Sequence, residues 1–321
     1  MKGVIMGMFV KTITIVLFCL IDISAFSQNS DVVTPNHYPR LLQAEVPIYP
    51  GVAEGLRFGG TIEIDVVVED GIIKNAKVKR EAIEIPNGEE GWKSNVKRER
   101  IQPPDDEEKW QSHINKLMEY LTVPSLEYLK TWRFDPLAKD SFTITFIYKI
   151  EGEETYLPES PKIEMDLPLT IKVTTKPSKP QGSVPDLHAE AIAPPYLRWA
   201  EIPFYPPAAA SMLFGGTIEI DVVVKNGVVR NAKIKRKTIE SSIGIKGFSS
   251  DNKLLKHLTE SSLKNVKTWQ FAQWPNGSFT VTFIYKIEGE ETLFPENPKI
   301  EMDLLSTVKI TARPFKPKKS P

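Results

Sequence analysis

The stretch that decides the fold is residues 58–80, FGGTIEIDVVVEDGIIKNAKVKR, because residues 214–236 repeat it as FGGTIEIDVVVKNGVVRNAKIKR. The two copies are identical at 17 of 23 positions. A second pair, residues 142–155 and 279–292, is identical at 13 of 14 positions. One structural module is therefore expected twice in this chain.

Each copy opens with a predicted β-hairpin. In the first copy, residues 61–68 alternate in polarity and are rich in β-branched side chains, which is typical of a strand with one buried face. Asp70 and Gly71 tolerate positive φ, so residues 72–79 are expected to return as a second strand. The second copy has the same pattern, with strands at 217–224 and 228–235 around Asn226 and Gly227.

A helix and a last strand complete each predicted module. Apolar residues recur at helical spacing over 117–129 and 254–266, although Pro124 leaves open a break in the first of these helices. The predicted last strands are residues 142–150 and 279–287. A further repeated stretch, 162–174 and 299–311, predicts an extra tail strand in each copy.

These elements predict an α+β fold with two tandem domains, each a small antiparallel sheet (β-β-α-β plus the tail strand) packed on a helix. Beside the helix ends, Trp132, Phe134, Trp269 and Phe271 are expected in the cores. The spacing between copies falls from 156 to 137 residues, which places 19 additional residues between Arg80 and Leu117 of the first copy. That insertion is interpreted as a solvated loop.

The N-terminus reads as an export signal. Lys11 precedes an apolar run at 12–21, and Ala25 and Ser27 are spaced as a cleavage site requires. A periplasmic protein is expected, with an uncleaved inner-membrane anchor as the alternative. The predicted organisation is a signal peptide at 1–27, a linker at 28–44, domains at 45–175 and 196–312 joined by a linker at 176–195, and a basic tail at 313–321.

Composition and motifs point away from catalysis. Lys plus Arg and Asp plus Glu each total 41, so bulk charge does not favour nucleic acid as a partner. The four histidines lack metal-ligand spacing, and the single cysteine, Cys19, lies in the signal. The chain also lacks a glycine-rich phosphate loop and a nucleophile elbow. We therefore predict no enzymatic activity, no cofactor and no metal.

The repeated motifs resemble the C-terminal domain of TonB-family proteins. In order, they are a Tyr-Pro pair, Gly-Gly-Thr at the start of a strand, Asn-Ala in the hairpin and Trp-x-Phe before the last strand. The residues are Tyr49-Pro50, Gly59 to Thr61, Asn75-Ala76 and Trp132 to Phe134, then Tyr205-Pro206, Gly215 to Thr217, Asn231-Ala232 and Trp269 to Phe271. The resemblance covers about residues 45–155 and 201–292.

The resemblance implies a protein-binding adaptor, which adds extended segments of envelope proteins, such as outer-membrane receptors, to an exposed sheet edge. The candidate contacts, on the last strands and the Tyr-Pro turns, are Tyr49, Pro50, Phe142, Ile144, Phe146, Tyr148, Tyr205, Pro206, Phe279, Val281, Phe283 and Tyr285.

Two alternatives stay open beside the adaptor. If the tail strands cover the last-strand edges, the modules are envelope scaffold or dimerisation units, and a homodimer is then one open assembly. If the N-terminus is retained, the chain is a TonB-type energy transducer for transmembrane transport. The roughly 17 residues before Glu45 argue against the transducer, since a fully extended segment of that length spans only about 60 Å.

Overall fold

The computed structural model describes residues 38–84, 107–152, 160–175, 196–241, 251–272, 276–291, 297–303 and 306–313. The predicted signal peptide, most of the first-copy insertion, the linker at 176–195 and the tail after Arg313 lie outside these ranges. Among the described residues, no helix is both long enough and apolar enough to cross a membrane.

The two copies contain the same series of elements. The first comprises β1 Leu41–Gln43, α1 Gly51–Gly55, β2 Gly59–Glu69, β3 Ile72–Glu84, α2 Glu107–Thr131, β4 Arg133–Phe134, β5 Asp140–Ile150, β6 Lys162–Asp166 and β7 Thr170–Thr175. The second comprises β8 Tyr196–Trp199, α3 Pro207–Ser211, β9 Phe214–Lys225, β10 Val228–Ser241, α4 Asp251–Val266, β11 Gln270–Ala272, β12 Asn276–Ile287, β13 Lys299–Asp303 and β14 Thr307–Ala312.

All of these strands belong to one mixed sheet of 14 strands, so the expectation of two separate small antiparallel sheets is wrong. The order is β1-β4-β3-β2-β5-β7-β6-β13-β14-β12-β9-β10-β11-β8. Each copy contributes seven strands, and the second half mirrors the first. The pairs β5–β7 and β12–β14 are parallel, and the other pairs are antiparallel.

The tail of each copy causes this difference, because it folds as a hairpin and not as one strand. In the first copy, Asp166 accepts a backbone hydrogen bond from Leu169 at 3.0 Å, which closes a turn around Pro168 between β6 and β7. In the second copy, Asp303 accepts from Ser306 at 3.0 Å between β13 and β14. The inner strand of each hairpin joins its own copy, and the outer strand can pair across to the other.

The predicted β2–β3 and β9–β10 hairpins are confirmed. Asp70 and Gly71 have φ of 52° and 72°, and Asn226 and Gly227 have φ of 52° and 74°. Positive φ at both central residues defines the type I′ turn, whose twist matches that of the flanking strands. A Cβ on Gly71 would also collide with the carbonyl oxygen of Phe134, so glycine is required there for space as well.

One long helix packs over each hairpin. The helix α2 contacts β2 and β3 and continues through Pro124, so the break considered there does not occur. The helix α4 packs in the same way on β9 and β10. The four aromatic residues expected in the cores are all buried, namely Trp132, Phe134, Trp269 and Phe271.

Candidate functional site

The last strands β5 and β12, where the sequence placed peptide binding, are each paired on both sides. The strand β5 lies between β2 and β7, with β7 in register from Thr145↔Thr170 to Ile150↔Thr175. The strand β12 lies between β9 and β14, with β14 in register from Thr282↔Thr307 to Ile287↔Ala312. The tail hairpins therefore occupy the second half of each edge that a peptide would need.

The first half of each edge has a different environment. Among the described residues, β7 reaches β5 only from Thr145 onward, which leaves residues 140–144 without a strand partner on that side. The same holds for residues 276–281 of β12. The amide of Thr145 donates to Leu169 on the covered side. Backbone amides alternate between the two sides of a strand. The amide of Thr143, two residues before Thr145, therefore points to the same side and faces the part of the edge that β7 does not cover.

The candidate side chains on these strands lie in the core. All are buried except the half-buried Phe279; the set is Phe142, Ile144, Phe146, Tyr148, Phe279, Val281, Phe283 and Tyr285. An added strand would therefore meet main-chain groups at the edge, and these side chains would contact the helix side of the protein.

The two Tyr-Pro turns anchor the start of each sheet. The Tyr49 hydroxyl donates to the carbonyl of Phe58 at 2.8 Å, and its ring packs edge-on against Tyr148 with centroids 5.6 Å apart. In the second copy, Tyr205 donates to Phe214 at 2.7 Å and packs against Tyr285 at 5.4 Å. Pro50 and Pro206 occupy the N-cap positions of α1 and α3.

Buried tyrosines also tie each last strand to its helix. Ser125 donates to the carbonyl of Leu121 at 2.7 Å, so the Tyr148 hydroxyl is the donor in its 2.9 Å contact with Ser125. The pair Ser262 and Tyr285 repeats this arrangement at 2.9 Å. Burial raises the pKa of Tyr285 to about 12, which keeps the phenol neutral at physiological pH. These hydroxyls act as structural hydrogen-bond donors.

The two copies meet along β6 and β13, which have the same sequence, Lys-Ile-Glu-Met-Asp, and run antiparallel. We call this pairing the seam. Its register is Lys162↔Asp303, Ile163↔Met302, Glu164↔Glu301, Met165↔Ile300 and Asp166↔Lys299. The motif is complementary to itself, since lysine faces aspartate at both ends and isoleucine faces methionine on the inner face. Such an interface is isologous, as in a two-fold dimer.

A row of charges crosses the outer face of the seam. Glu164 and Glu301 face each other at its centre, an arrangement that is unfavourable by itself. Lys172 lies 3.8 Å from Glu164, and Lys309 lies 3.3 Å from Glu301. A hydrogen bond from Lys162 lowers the pKa of Glu164 and keeps that carboxylate ionised. The lysines thus offset the repulsion between the two glutamates.

A second contact joins the copies at the far ends of the sheet. Glu45 and Glu201, which occupy equivalent positions, form an antiparallel bridge. The amide of Val46 donates to Ala200 at 2.7 Å, and the amide of Ile202 donates to Ala44 at 2.8 Å. The end strands β1 and β8 are therefore linked. Further hydrogen bonds join the copies beside them, since the amide of Leu41 donates to the side chain of Asn297 at 2.6 Å and the amide of Leu197 donates to Ser160 at 3.1 Å.

A cavity of about 670 Å³ lies at this junction and is lined by residues of both copies. We call it the α3 cavity, because that helix forms one wall with Ala208 and Ala210. Leu41 and Leu42 come from β1 of the other copy, and Ala312 closes the end of β14. The cavity combines aliphatic walls with cationic residues.

Comparisons with known proteins do not assign a family. No family model matches the chain, and neither the curated proteins nor the solved structures include a match. Within the described ranges, no group of three His, Cys, Asp or Glu side chains could hold a metal ion. The TonB resemblance and the predicted binding function therefore stay predictions.

Reasoning from the sequence missed both the seam and the α3 cavity. The signal for the seam was present, because an identical Lys-Ile-Glu-Met-Asp in both copies is complementary to itself only when antiparallel. The cavity had a weaker signal, the pair of small residues Ala210 and Ala312. Neither signal identifies its partner without knowledge of the fold.

Proposed function

We propose that this chain is a non-enzymatic scaffold protein of the cell envelope, in which two TonB-like repeats act as one fused pair. The observation that carries the proposal is the pairing of β7 with β5 and of β14 with β12. A free edge binds peptides through unpaired main-chain groups. Here the protein's own tail satisfies those groups over half of each edge.

The contacts between the copies support a scaffold more than two independent binding heads. The seam places five residues of each copy in register, and the Glu45–Glu201 bridge fixes the opposite end. Heads joined only by a linker would be free to engage separate partners. Repeats that share one sheet present a single rigid surface.

Hydrogen–deuterium exchange of the full chain tests whether the tails stay in place. We expect the amides of β7 and β14 to be protected to an extent comparable with those of β2 and β9, because all of them lie inside the same sheet. Rapid exchange confined to β7 and β14, with β2 still protected, would contradict the scaffold proposal. It would mean that the tails leave the edges readily.

Export is part of the proposal and has its own test. Fractionation followed by N-terminal sequencing should find a periplasmic protein that begins near Gln28, since the predicted signal ends at Ser27. A membrane-bound protein that retains its N-terminus would favour the anchored energy transducer instead.

A second candidate function is capture of extended segments at the uncovered halves of the edges, residues 140–144 and 276–281. The observation that favours it is the absence of a strand partner for these residues within the described ranges. The amides of Thr143 and Thr280 face that side, because those of Thr145 and Thr282 donate to Leu169 and Ser306 there.

Proline substitution tests this capture directly. The double variant T143P/T280P removes one main-chain edge donor in each copy without removing a main-chain hydrogen bond to β2 or β9. It also removes the side-chain hydrogen bonds of Thr143 to Asp65 and of Thr280 to Asp221, which valine at these positions removes as well. Titration with extended peptides from envelope proteins should lose affinity in this variant. The control T143V/T280V keeps both amides and should bind as wild type does. Equal binding by both variants would exclude edge capture.

A further inference from the structure

The α3 cavity has the size and lining of a small-molecule site. Its volume of about 670 Å³ lies within the range of ligand pockets. Aliphatic and aromatic residues form most of the wall, including Leu41, Leu42 and Phe204. Leu42 and Phe204 are 41% and 39% exposed, so apolar surface faces the opening. Contact with a hydrocarbon ligand would remove this apolar surface from water, which is favourable in free energy.

The charged residues of the lining have one sign. Arg40, Lys264 and Arg313 are cationic, and no carboxylate is among the described residues that line the cavity. Arg40 is half-buried and has Asp135 as its charge partner. Lys264 is exposed at the end of α4. An apolar space bordered by cations favours a ligand with an apolar body and an anionic end.

Comparison of the two copies explains why the cavity exists. Ala210 and Ala312 of the second copy correspond to Glu54 and Thr175 of the first. The Thr175 hydroxyl donates to the Glu54 carboxylate at 2.9 Å, so these two side chains meet between α1 and the end of β7. In the second copy both are reduced to methyl groups, and both methyl groups line the open space.

The charge at this place also differs between the copies. Lys264 corresponds to Glu127 in α2, and Ala210 corresponds to Glu54. The first copy therefore has two acidic residues where the second has a lysine and an alanine. At this place the second copy therefore lacks both the Glu54–Thr175 contact and the two carboxylates of the first copy.

We propose that the α3 cavity binds a single-chain anionic amphiphile, of the chemical class of long-chain fatty acids. The hydrocarbon chain would lie along Leu41, Leu42 and Phe204, and the anionic head would face Lys264 and Arg313. A carboxylate and a phosphate monoester share this chemistry. This inference concerns a site apart from the strand edges and does not depend on the scaffold proposal.

Binding can be measured with a fluorescent fatty acid, cis-parinaric acid, added to the purified full chain. We expect saturable binding that laurate and dodecyl phosphate displace, whereas dodecanol (no charge) and acetate (no chain) compete at least roughly tenfold less well, equivalent to about 1.4 kcal/mol. The relative potency of laurate and dodecyl phosphate identifies the preferred head group. Absence of saturable binding, or equal competition by dodecanol, would overturn the proposal.

Variants locate the site. The double variant A210E/A312T rebuilds the Glu–Thr pair that the first copy already contains, and it should lower affinity at least roughly tenfold. The matched control E54A/T175A changes the equivalent place in the first copy and should keep wild-type affinity. K264E, which places in α4 the residue that α2 has, should weaken binding of laurate more than that of dodecanol. Unchanged laurate affinity in A210E/A312T would refute the assignment.

A labelling experiment does not depend on these variants folding. A fatty acid with a diazirine in its chain should, on irradiation of the wild-type chain, label peptides that contain Leu41, Leu42 or Phe204. Labelling confined to other peptides would place any bound fatty acid elsewhere and overturn the proposal.

Discussion

The seam predicts an energetic coupling between two glutamates that are 137 positions apart. Glu164 and Glu301 face each other across β6 and β13, and no other described contact makes them neighbours. The perturbation is charge reversal in a double-mutant cycle, with E164K, E301K and the double variant E164K/E301K. Each single variant converts a repulsive pair into an attractive one, and the double variant restores repulsion between two lysines.

The size of the coupling follows from the geometry. A directly opposed cross-strand pair contributes roughly 0.2–1 kcal/mol. The side chains are 33% and 35% exposed, so the lower half of that range applies. The four members of the cycle contain two like-charge and two opposite-charge pairs. The coupling therefore sums four contributions of this size, which gives about 1–2 kcal/mol. Interactions of either position with Lys162, Lys172 and Lys309 cancel because they occur in single and double variants alike.

Urea denaturation at low salt measures the coupling as the excess destabilisation of the double variant over the sum of the single variants. At 1 M salt it should fall, since the Debye length there is only about 3 Å. A control cycle pairs E164K with E219K, because Glu219 on β9 lies four strands from β6, roughly 19 Å away. Additivity within about 0.5 kcal/mol in the first cycle would refute the seam.

Three further predictions concern buried and helical positions. Tyr285→Phe should lower the free energy of unfolding by about 1 kcal/mol, as measured by urea denaturation. The loss is small for a buried hydroxyl because Ser262 still donates to the carbonyl of Leu258. Burial raises the pKa of Glu54, so its contribution to stability is complete below the unfolded pKa and is lost as pH rises through the folded pKa. In thermal melts from pH 4 to 8, the melting temperature of E54Q relative to wild type should therefore rise with pH. A difference that does not change with pH would contradict this. Pro124→Ala should raise the free energy of unfolding by roughly 2 kcal/mol. Alanine restores a helix-interior hydrogen bond that proline cannot make, and the more flexible unfolded chain offsets part of that gain. An unchanged urea midpoint would count against this prediction.

The local elements of this fold could be predicted because local chemistry determines them. Asp70-Gly71 and Asn226-Gly227 are sufficient for two hairpins, since few residues other than glycine and asparagine or aspartate accept positive φ. The core positions of Trp132 and Trp269 follow from their size and their place beside a helix end. These predictions need only neighbours within the module.

The arrangement of the sheet could not be predicted in the same way. The repeated tail was expected as one strand, and alternation alone does not reveal that Pro168 lies in a turn between two strands. Once the tail is a hairpin, β6 has an unpaired edge, and the nearest equivalent edge is β13. Long-range pairing of this kind depends on which edges stay free after local pairing, which the sequence of one module does not specify.

The two copies diverge where the fold permits it. Within the seam, replacing Ile163 changes the surface that Met302 packs against, so a change in one copy needs a matching change in the other. The positions of Glu54 and Ala210 have no such mutual contact, because each faces its own tail strand. Identity is therefore expected in β6 and β13, and the cavity is free to change in one copy alone. A duplicated fold can in this way keep the pairing between its copies while one half acquires a site such as the one proposed for the α3 cavity.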